Sequence, residues 1–117
     1  QPFYENTSII IVGDHASMDA AYFDRAFSDE YERHMYNCFI NCPVSTEKVK
    51  ERSFTPMDMF PTTLAVLGCT IEGDRLGLGT NLYSDTPTLA EKYTIEVLNS
   101  ELGKTSDYYT KNFAKSK

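Results

Sequence analysis

Four consecutive β-branched aliphatics, Ile9, Ile10, Ile11 and Val12, constrain this chain most. They favour an extended backbone, and four residues are too few for a helix of their own. No polar residue alternates with them. Such a run predicts a strand buried on both faces, as in a parallel sheet flanked by helices. Gly13 is expected to let the chain turn sharply, so that Asp14 and His15 sit together just past the carboxyl end of the strand. In open α/β sheets, ligands and catalytic groups collect at that edge.

At 117 residues the chain is at most one small domain, or part of a larger one. With 41% hydrophobic residues, eight Tyr and seven Phe it can fill a core, which argues against disorder outside a Lys-rich tail after Phe113. A net charge of −6 argues against a nucleic-acid partner, which needs a basic face that the sequence does not display. No apolar run approaches the roughly 20 residues of a membrane span, and no signal-peptide pattern is present, so the stretch reads as soluble. Cys38 and Cys42 lie four apart in an extended-looking segment, about 13 Å between Cα atoms, too far for a disulfide. C-x3-C without a second pair is a poor zinc signature, so Cys38, Cys42 and Cys69 read as structural thiols. Asn6-Thr7-Ser8 matches the glycosylation sequon, a pattern short enough to arise by chance, and carries no weight.

Residues 1–6 read as a leading loop that starts without a cap, as though cut from something longer. Residues 16–33 read as an acidic and aromatic surface excursion over the sheet edge, with a short helix around residues 20–27. Residues 35–41 form a second strand, ended by Cys42 and Pro43. Ser45 could cap one helical turn over residues 45–50. Thr55 as cap, Pro56 at the first helical position and Asp58 three residues after Thr55 make the clearest helix start. Pro61 should bend or restart that helix, which then runs apolar through Leu64, Ala65, Val66 and Leu67, stops at the left-handed Gly68 and packs against the sheet. Residues 72–84 read as a glycine-rich loop. Gly77-Leu78-Gly79 lacks the strand, helix and lysine of a phosphate loop. A last helical region starts at Thr88 with Glu91 completing a capping box. It carries Ile95, Leu98 and Leu102 on one face and ends at Gly103. A short helix over residues 105–113 packs Tyr108, Tyr109 and Phe113 back onto the body.

A carboxylate oxygen beside an imidazole nitrogen suits zinc or manganese, and at a strand end Asp14 and His15 can converge on one ion. A catalytic metal needs at least three protein groups and an open position. Asp19, Asp24 or Asp29 could be brought near. His34 reads instead as a partly exposed packing residue. No Ser, Thr or Cys has a paired base that would make it an activated nucleophile. On its own residues, the chain looks like half an active site.

Four segments carry a resemblance: Ser8-Ile9-Ile10-Ile11-Val12-Gly13-Asp14-His15, Tyr36-Asn37-Cys38-Phe39-Ile40-Asn41, Phe54-Thr55-Pro56-Met57-Asp58-Met59-Phe60-Pro61-Thr62-Thr63-Leu64-Ala65, and Glu72-Gly73-Asp74-Arg75-Leu76-Gly77-Leu78-Gly79-Thr80-Asn81-Leu82. Together they resemble the C-terminal part of sulfatase-fold phosphoglycerol transferases, of the lipoteichoic acid synthase and membrane-oligosaccharide phosphoglycerol transferase type, in the alkaline phosphatase superfamily. The resemblance implies an α/β fold: residues 1–117 as the C-terminal portion of an α/β/α sandwich with a mixed, mostly buried sheet. It implies a parent at the bacterial cell membrane, held by N-terminal spanning helices, with its catalytic domain outside the cytoplasm.

The same resemblance implies a divalent metal, Mn2+ first with Zn2+ or Mg2+ as alternatives, held by Asp14 and His15 together with upstream ligands. A threonine nucleophile, also upstream, would take glycerol phosphate from a lipid-linked donor and pass it to a glycan or teichoic acceptor. No catalytic residue is carried onto this chain, and Thr55, Thr62 and Thr63 are not that nucleophile. The fragment alone is expected to be inactive. Exposed apolar strand edges should favour self-association. The alternatives are a fragment of a sulfatase or phosphodiesterase of the same superfamily, and, from another class, a non-catalytic α/β binding module.

Overall fold

The computed structural model describes residues 2–28, 30–31, 34–47 and 51–114. Its elements in chain order are β1 (Ile9–Val12), α1 (Ala20–Ala26), β2 (Asn37–Ile40), α2 (Met59–Val66), β3 (Arg75–Leu76), β4 (Gly79–Thr80), α3 (Leu89–Lys92), α4 (Ile95–Leu102) and α5 (Asp107–Asn112). Short 3-10 turns precede β1 (Tyr4–Asn6), α2 (Pro56–Asp58) and β3 (Glu72–Asp74). The chain thus mixes helices and strands, but not as one large sheet. β1 pairs antiparallel with β2, β3 pairs antiparallel with β4, and each sheet has two strands.

The expectation of a strand buried in a parallel sheet is therefore corrected. In β1, Ile9, Ile11 and Val12 are each about two-fifths exposed or more, at 40%, 46% and 39%. The four aliphatics do choose a strand, as β-branched side chains should. Burying both faces, however, needs elements on both sides, and among the described residues only β2 pairs with β1. Gly13 also differs from expectation. Its backbone is not among the left-handed glycines, which are Gly68, Gly73 and Gly77. It needs no side chain for another reason: a Cβ there would lie 3.2 Å from the Met35 Cβ.

The ribbon is anchored at its far end by Asn41, which sits at φ 53°, a conformation that asparagine tolerates better than most residues. Its Nδ2 donates to the carbonyls of Tyr4 (2.6 Å) and Thr7 (2.8 Å), and its own carbonyl accepts from Ser8 Oγ (2.9 Å).

The best-packed part of the molecule is built around α2 and the β3–β4 hairpin, which pack together. Thr55, Pro56 and Asp58 form the expected start, as a 3-10 turn leading into α2. Asp58 is buried and acts on both sides. Its Oδ2 accepts from Thr55 N (2.8 Å) and Thr55 Oγ1 (3.2 Å), while Oδ1 accepts from Thr80 N (2.7 Å). Thr62 Oγ1 donates to the Asp58 carbonyl (2.6 Å) and accepts from Leu82 N (3.0 Å). Two polar residues one helical turn apart thereby hold the segment after the hairpin. Pro61 does not break α2. It lies in the first turn, where the amide it lacks would have no helical partner. Gly68, at φ 80°, stops the helix as expected.

Residues 72–84 are not a plain loop, since two strands of two residues each are too short to leave a periodic signature. α2 packs chiefly on this hairpin, with Met59 and Thr62 also facing Asn37 and Phe39 of β2 across a small cleft. The capping box of Thr88 and Glu91 is present: Glu91 N donates to Thr88 Oγ1 (3.0 Å) and Thr88 N to Glu91 Oε2 (2.8 Å). The helix it starts lasts four residues, and Thr94 caps a separate α4 through Val97 N (3.3 Å). Leu98 is buried, whereas Ile95 and Leu102 on the same face are about half exposed. The second strand is shorter than expected, Asn37–Ile40. Residues 45–47 are not helical, and residues 48–50 of that expected turn lie outside the described residues. So do residues 115–117 of the Lys-rich tail. Tyr108, Tyr109 and Phe113 do not pack back: all three are mostly exposed, with the Tyr109 and Phe113 rings stacked at 5.6 Å.

A buried cation closes this body. The Arg52 side chain is 5% exposed and pairs through both Nε (2.7 Å) and Nη2 (2.8 Å) with the Glu91 carboxylate. Its remaining donors reach the carbonyls of Leu82 (3.2 Å), Ser84 (2.6 Å) and Thr86 (2.7 Å). The planar guanidinium fork suits this arrangement, and lysine could not copy it. The Arg52 hydrogen bond lowers the Glu91 pKa below its ordinary 4.5, with backbone amides helping and burial opposing. A carboxylate with a depressed folded pKa adds stability above its unfolded value and loses it as pH falls through the folded one. Unfolding midpoints measured from pH 6 downward should therefore fall below about pH 4.5. Glu91→Gln should flatten that acid limb. An unchanged slope in Glu91→Gln would mean that other carboxylates set it.

Candidate functional site

Asp14 and His15 leave the ribbon together at the end of β1. Gly13 N still pairs with the Tyr36 carbonyl (3.0 Å), so the two residues follow directly on the last bond between the chain segments. Asp14 Oδ1 accepts from His15 N (2.9 Å), which turns the carboxylate back over the following residue. Its other oxygen, Oδ2, lies 3.5 Å from His15 Nε2. The imidazole is fixed from the opposite edge, with Nδ1 2.8 Å from the Ala16 carbonyl. A carbonyl oxygen can only accept, so Nδ1 carries a proton in this contact. In the neutral ring Nε2 then presents a lone pair toward Asp14 Oδ2.

The two side chains therefore face each other rather than apart, and both are well exposed, 59% for His15 and 87% for Asp14. Two lone-pair donors at this separation repel unless a proton or a cation lies between them. With metal–ligand bonds of about 2.1 Å, a tetrahedral angle separates two donors by about 3.4 Å. The donor set and its spacing thus fit a divalent metal as two ligands. They do not complete a site. Among the described residues no group of three or more His, Cys, Asp and Glu is placed to hold a metal. Asp19 instead caps α1 by accepting from Tyr22 N (2.9 Å), Asp24 joins no such group, and Asp29 lies outside the described residues.

His34, expected to be a partly exposed packing residue, sits at the same end of the ribbon as His15. It is exposed and, with His15, lines a cleft of about 320 Å3 walled by Ile11, Val12, Phe23 and Tyr31. Phe23 and Tyr31 belong to an aromatic group on and after α1, in which Phe27 and Tyr31 stack at 4.3 Å. His15 and His34 are far apart in sequence, and only the antiparallel pairing brings them to one place. The signal was present in the two strands, had they been read as a hairpin.

The Thr62 hydroxyl is buried with its bonds made, and Cys38, Cys42 and Cys69 are free thiols, the first two half-buried. Burial, with the neighbouring Cys42 and Cys38 thiols, pushes the Tyr83 phenol up to about 12, so it stays protonated at neutral pH. Arg75 of the glycine-rich segment faces the chain itself, donating to the Pro87 carbonyl. No helix among the described residues is long and apolar enough to cross a membrane. Comparison with protein-family models, with curated proteins and with solved structures finds no match for this chain.

Proposed function

We propose that this chain is the C-terminal part of a metal-dependent phosphoglycerol transferase of the sulfatase fold. In this reading it contributes two ligands, Asp14 and His15, and leaves the nucleophile and the remaining ligands to segments upstream. The observation that supports it most is the pairing of Asp14 Oδ2 and His15 Nε2 at 3.5 Å, with the imidazole oriented by the Ala16 carbonyl. A hydrogen bond to the distal ring nitrogen is the usual way a ligating histidine is oriented. The exposed aliphatics of β1 also favour the reading, because a strand apolar on both faces suits the interior of a larger sheet.

When bound, a divalent cation supplies Lewis-acid charge for an attacking oxygen and for the phosphoryl group. The chain's own residues do the holding. Asp14 brings the negative charge, His15 the nitrogen donor, and the Gly13–Tyr36 bond keeps both at a fixed strand end. The lipid-linked donor, the glycan or teichoic acceptor and a location outside the cytoplasm belong to this proposal for the parent protein.

Isothermal titration with zinc or manganese chloride tests it. With only two of its ligands on this chain, binding should be weak but measurable, and Asp14→Ala and His15→Ala should each weaken it further, at least about tenfold. Equal affinity in wild type and both variants would sink the metal pair. Phosphatidylglycerol should not be turned over by this chain alone, since none of its residues is assigned to attack phosphorus.

A further inference from the structure

The ladder between β1 and β2 leaves one edge of the ribbon unused. Ile9 faces Ile40 and Val12 faces Asn37, and Gly13 N donates to the Tyr36 carbonyl (3.0 Å) in the same register. In an antiparallel pair every second residue turns both of its backbone groups to the partner strand. Counting back from Gly13, those residues are Ile11 and Ile9, so Ile10 and Val12 turn their N–H and C=O groups away from β2. Among the described residues no backbone group outside the ribbon bonds to them. β2 is engaged on its own side: the Phe39 ring meets Tyr83 edge-on at 6.1 Å, and Asn37 shares a small cleft with Met59 and Thr62. From Thr7 to Gly13 the β1 edge carries no charge and no proline, the devices by which sheets keep their edges from pairing.

The uncovered surface is large. The chain exposes 9386 Å2, whereas a compact monomer of its mass exposes about 6,500 Å2. Its radius of gyration is 17.8 Å, against about 13 Å for a compact chain of this length. A stable interface covers about 800 Å2 on each partner, well inside that excess.

We propose that the β1 edge is an interface with a second copy of this chain, the two β1 strands pairing antiparallel about a two-fold axis at Ile11. In that register Ile10 of each copy exchanges both backbone bonds with Val12 of the other, so every outward group of the two residues is used. The two Ile11 side chains meet across the axis as a closely spaced pair. Sliding the strands by two residues either way would set Val12 against Ser8 or Ile10 against Asp14 and give up aliphatic contact. In the Ile11-centred register Asp14 stands across from Ser8 rather than from another acid. The product is a four-stranded sheet with the two β1 strands at its centre. The inference stands apart from the metal-binding reading, since Asp14 and His15 lie outside the aliphatic run.

Sedimentation equilibrium of the whole chain should give twice the monomer mass at high concentration and fall toward the monomer on dilution. Ile11→Lys and Ile11→Glu each put like charges face to face on the axis, and each should weaken dimerisation at least about tenfold. An equal mixture of the two variants should recover the dimer, which also shows that both fold. Amide hydrogen exchange gives a second readout. Ile10 and Val12 should slow as concentration rises, while Ile11, paired with Cys38 in either state, should not change. A monomer at every concentration would overturn the proposal and leave the edge to a different strand. A dimer untouched by Ile11→Lys, or variants that stay apart when mixed, would overturn it as well. So would Ile10 and Val12 amides that exchange equally fast in dimer and monomer.

Discussion

Gly79→Ala should destabilise the protein by about 3 kcal/mol or more, an unusual cost for one methyl group. A Cβ on Gly79 would lie 2.0 Å from the Met57 carbonyl oxygen, 2.7 Å from its carbon and 3.0 Å from Pro61 Cγ. The first two are backbone atoms of the 3-10 turn before α2, and they cannot rotate away as the end of a side chain could. Either β4 or the 3-10 turn before α2 must shift by about an ångström or more. Either shift strains the bonds that Thr80 N donates to Asp58 Oδ1 and Leu82 N donates to Thr62 Oγ1. In a domain of 117 residues a loss of about 3 kcal/mol lowers the thermal midpoint by about 12 °C.

Gly77 serves as the control. It is left-handed at φ 60° but has open space around it, so Gly77→Ala should cost only the strain of that conformation, about 1 kcal/mol. Thermal unfolding followed by circular dichroism would decide. A Gly79→Ala protein within 1 kcal/mol of Gly77→Ala would show that the close approach is not limiting.

Asp58→Ala should come next, at about 3–5 kcal/mol. The change leaves Thr80 N–H buried without its 2.7 Å partner and strips Thr55 of two bonds. Thr80 is fully buried, so its N–H has no access to bulk solvent once the carboxylate is gone. Asp58→Asn should fall between wild type and alanine. Its carbonyl oxygen can still accept from Thr80 N–H, but its amide group cannot accept from Thr55 N–H. Urea unfolding would rank the three proteins. Asn as stable as Asp would mean that the Thr55 bond contributes nothing net.

These two sites show what was legible beforehand. The Thr55–Asp58 and Thr88–Glu91 pairs could be read because each cap is made by residues three apart, whose chemistry is local. The glycine at position 68 could be read for the same reason. The same holds for Asp14 and His15, adjacent in the chain, which the structure does bring face to face. What failed was non-local. Four aliphatics in β1 announce a strand but say nothing of its partner, so its antiparallel pairing with β2 and its exposure were both misread. Gly79 could be seen as a glycine but not as the point where β4 touches α2. Arg52 carried no pattern at all, since its partners lie 30 to 39 residues away. That His34 shares a cleft with His15 was also not legible, because the two come together only through the pairing of β1 with β2. Tyr108, Tyr109 and Phe113 were expected to find the body because aromatics usually do, yet they mainly find each other.

The ribbon formed by β1 and β2 acts like a vernier scale. Most strands are kept in step by alternating wet and dry faces, but a run of four aliphatics gives no such graduation, and a slip of one residue would meet little resistance from the side chains themselves. The zero mark is set at the ends: by Asn41 gripping Tyr4 and Thr7, and by the tight passage of Gly13 past Met35. An error introduced at Asn41 would thus be read out at the opposite end of the scale, where Val12 would no longer face Asn37 and Gly13 would lose its bond to Tyr36.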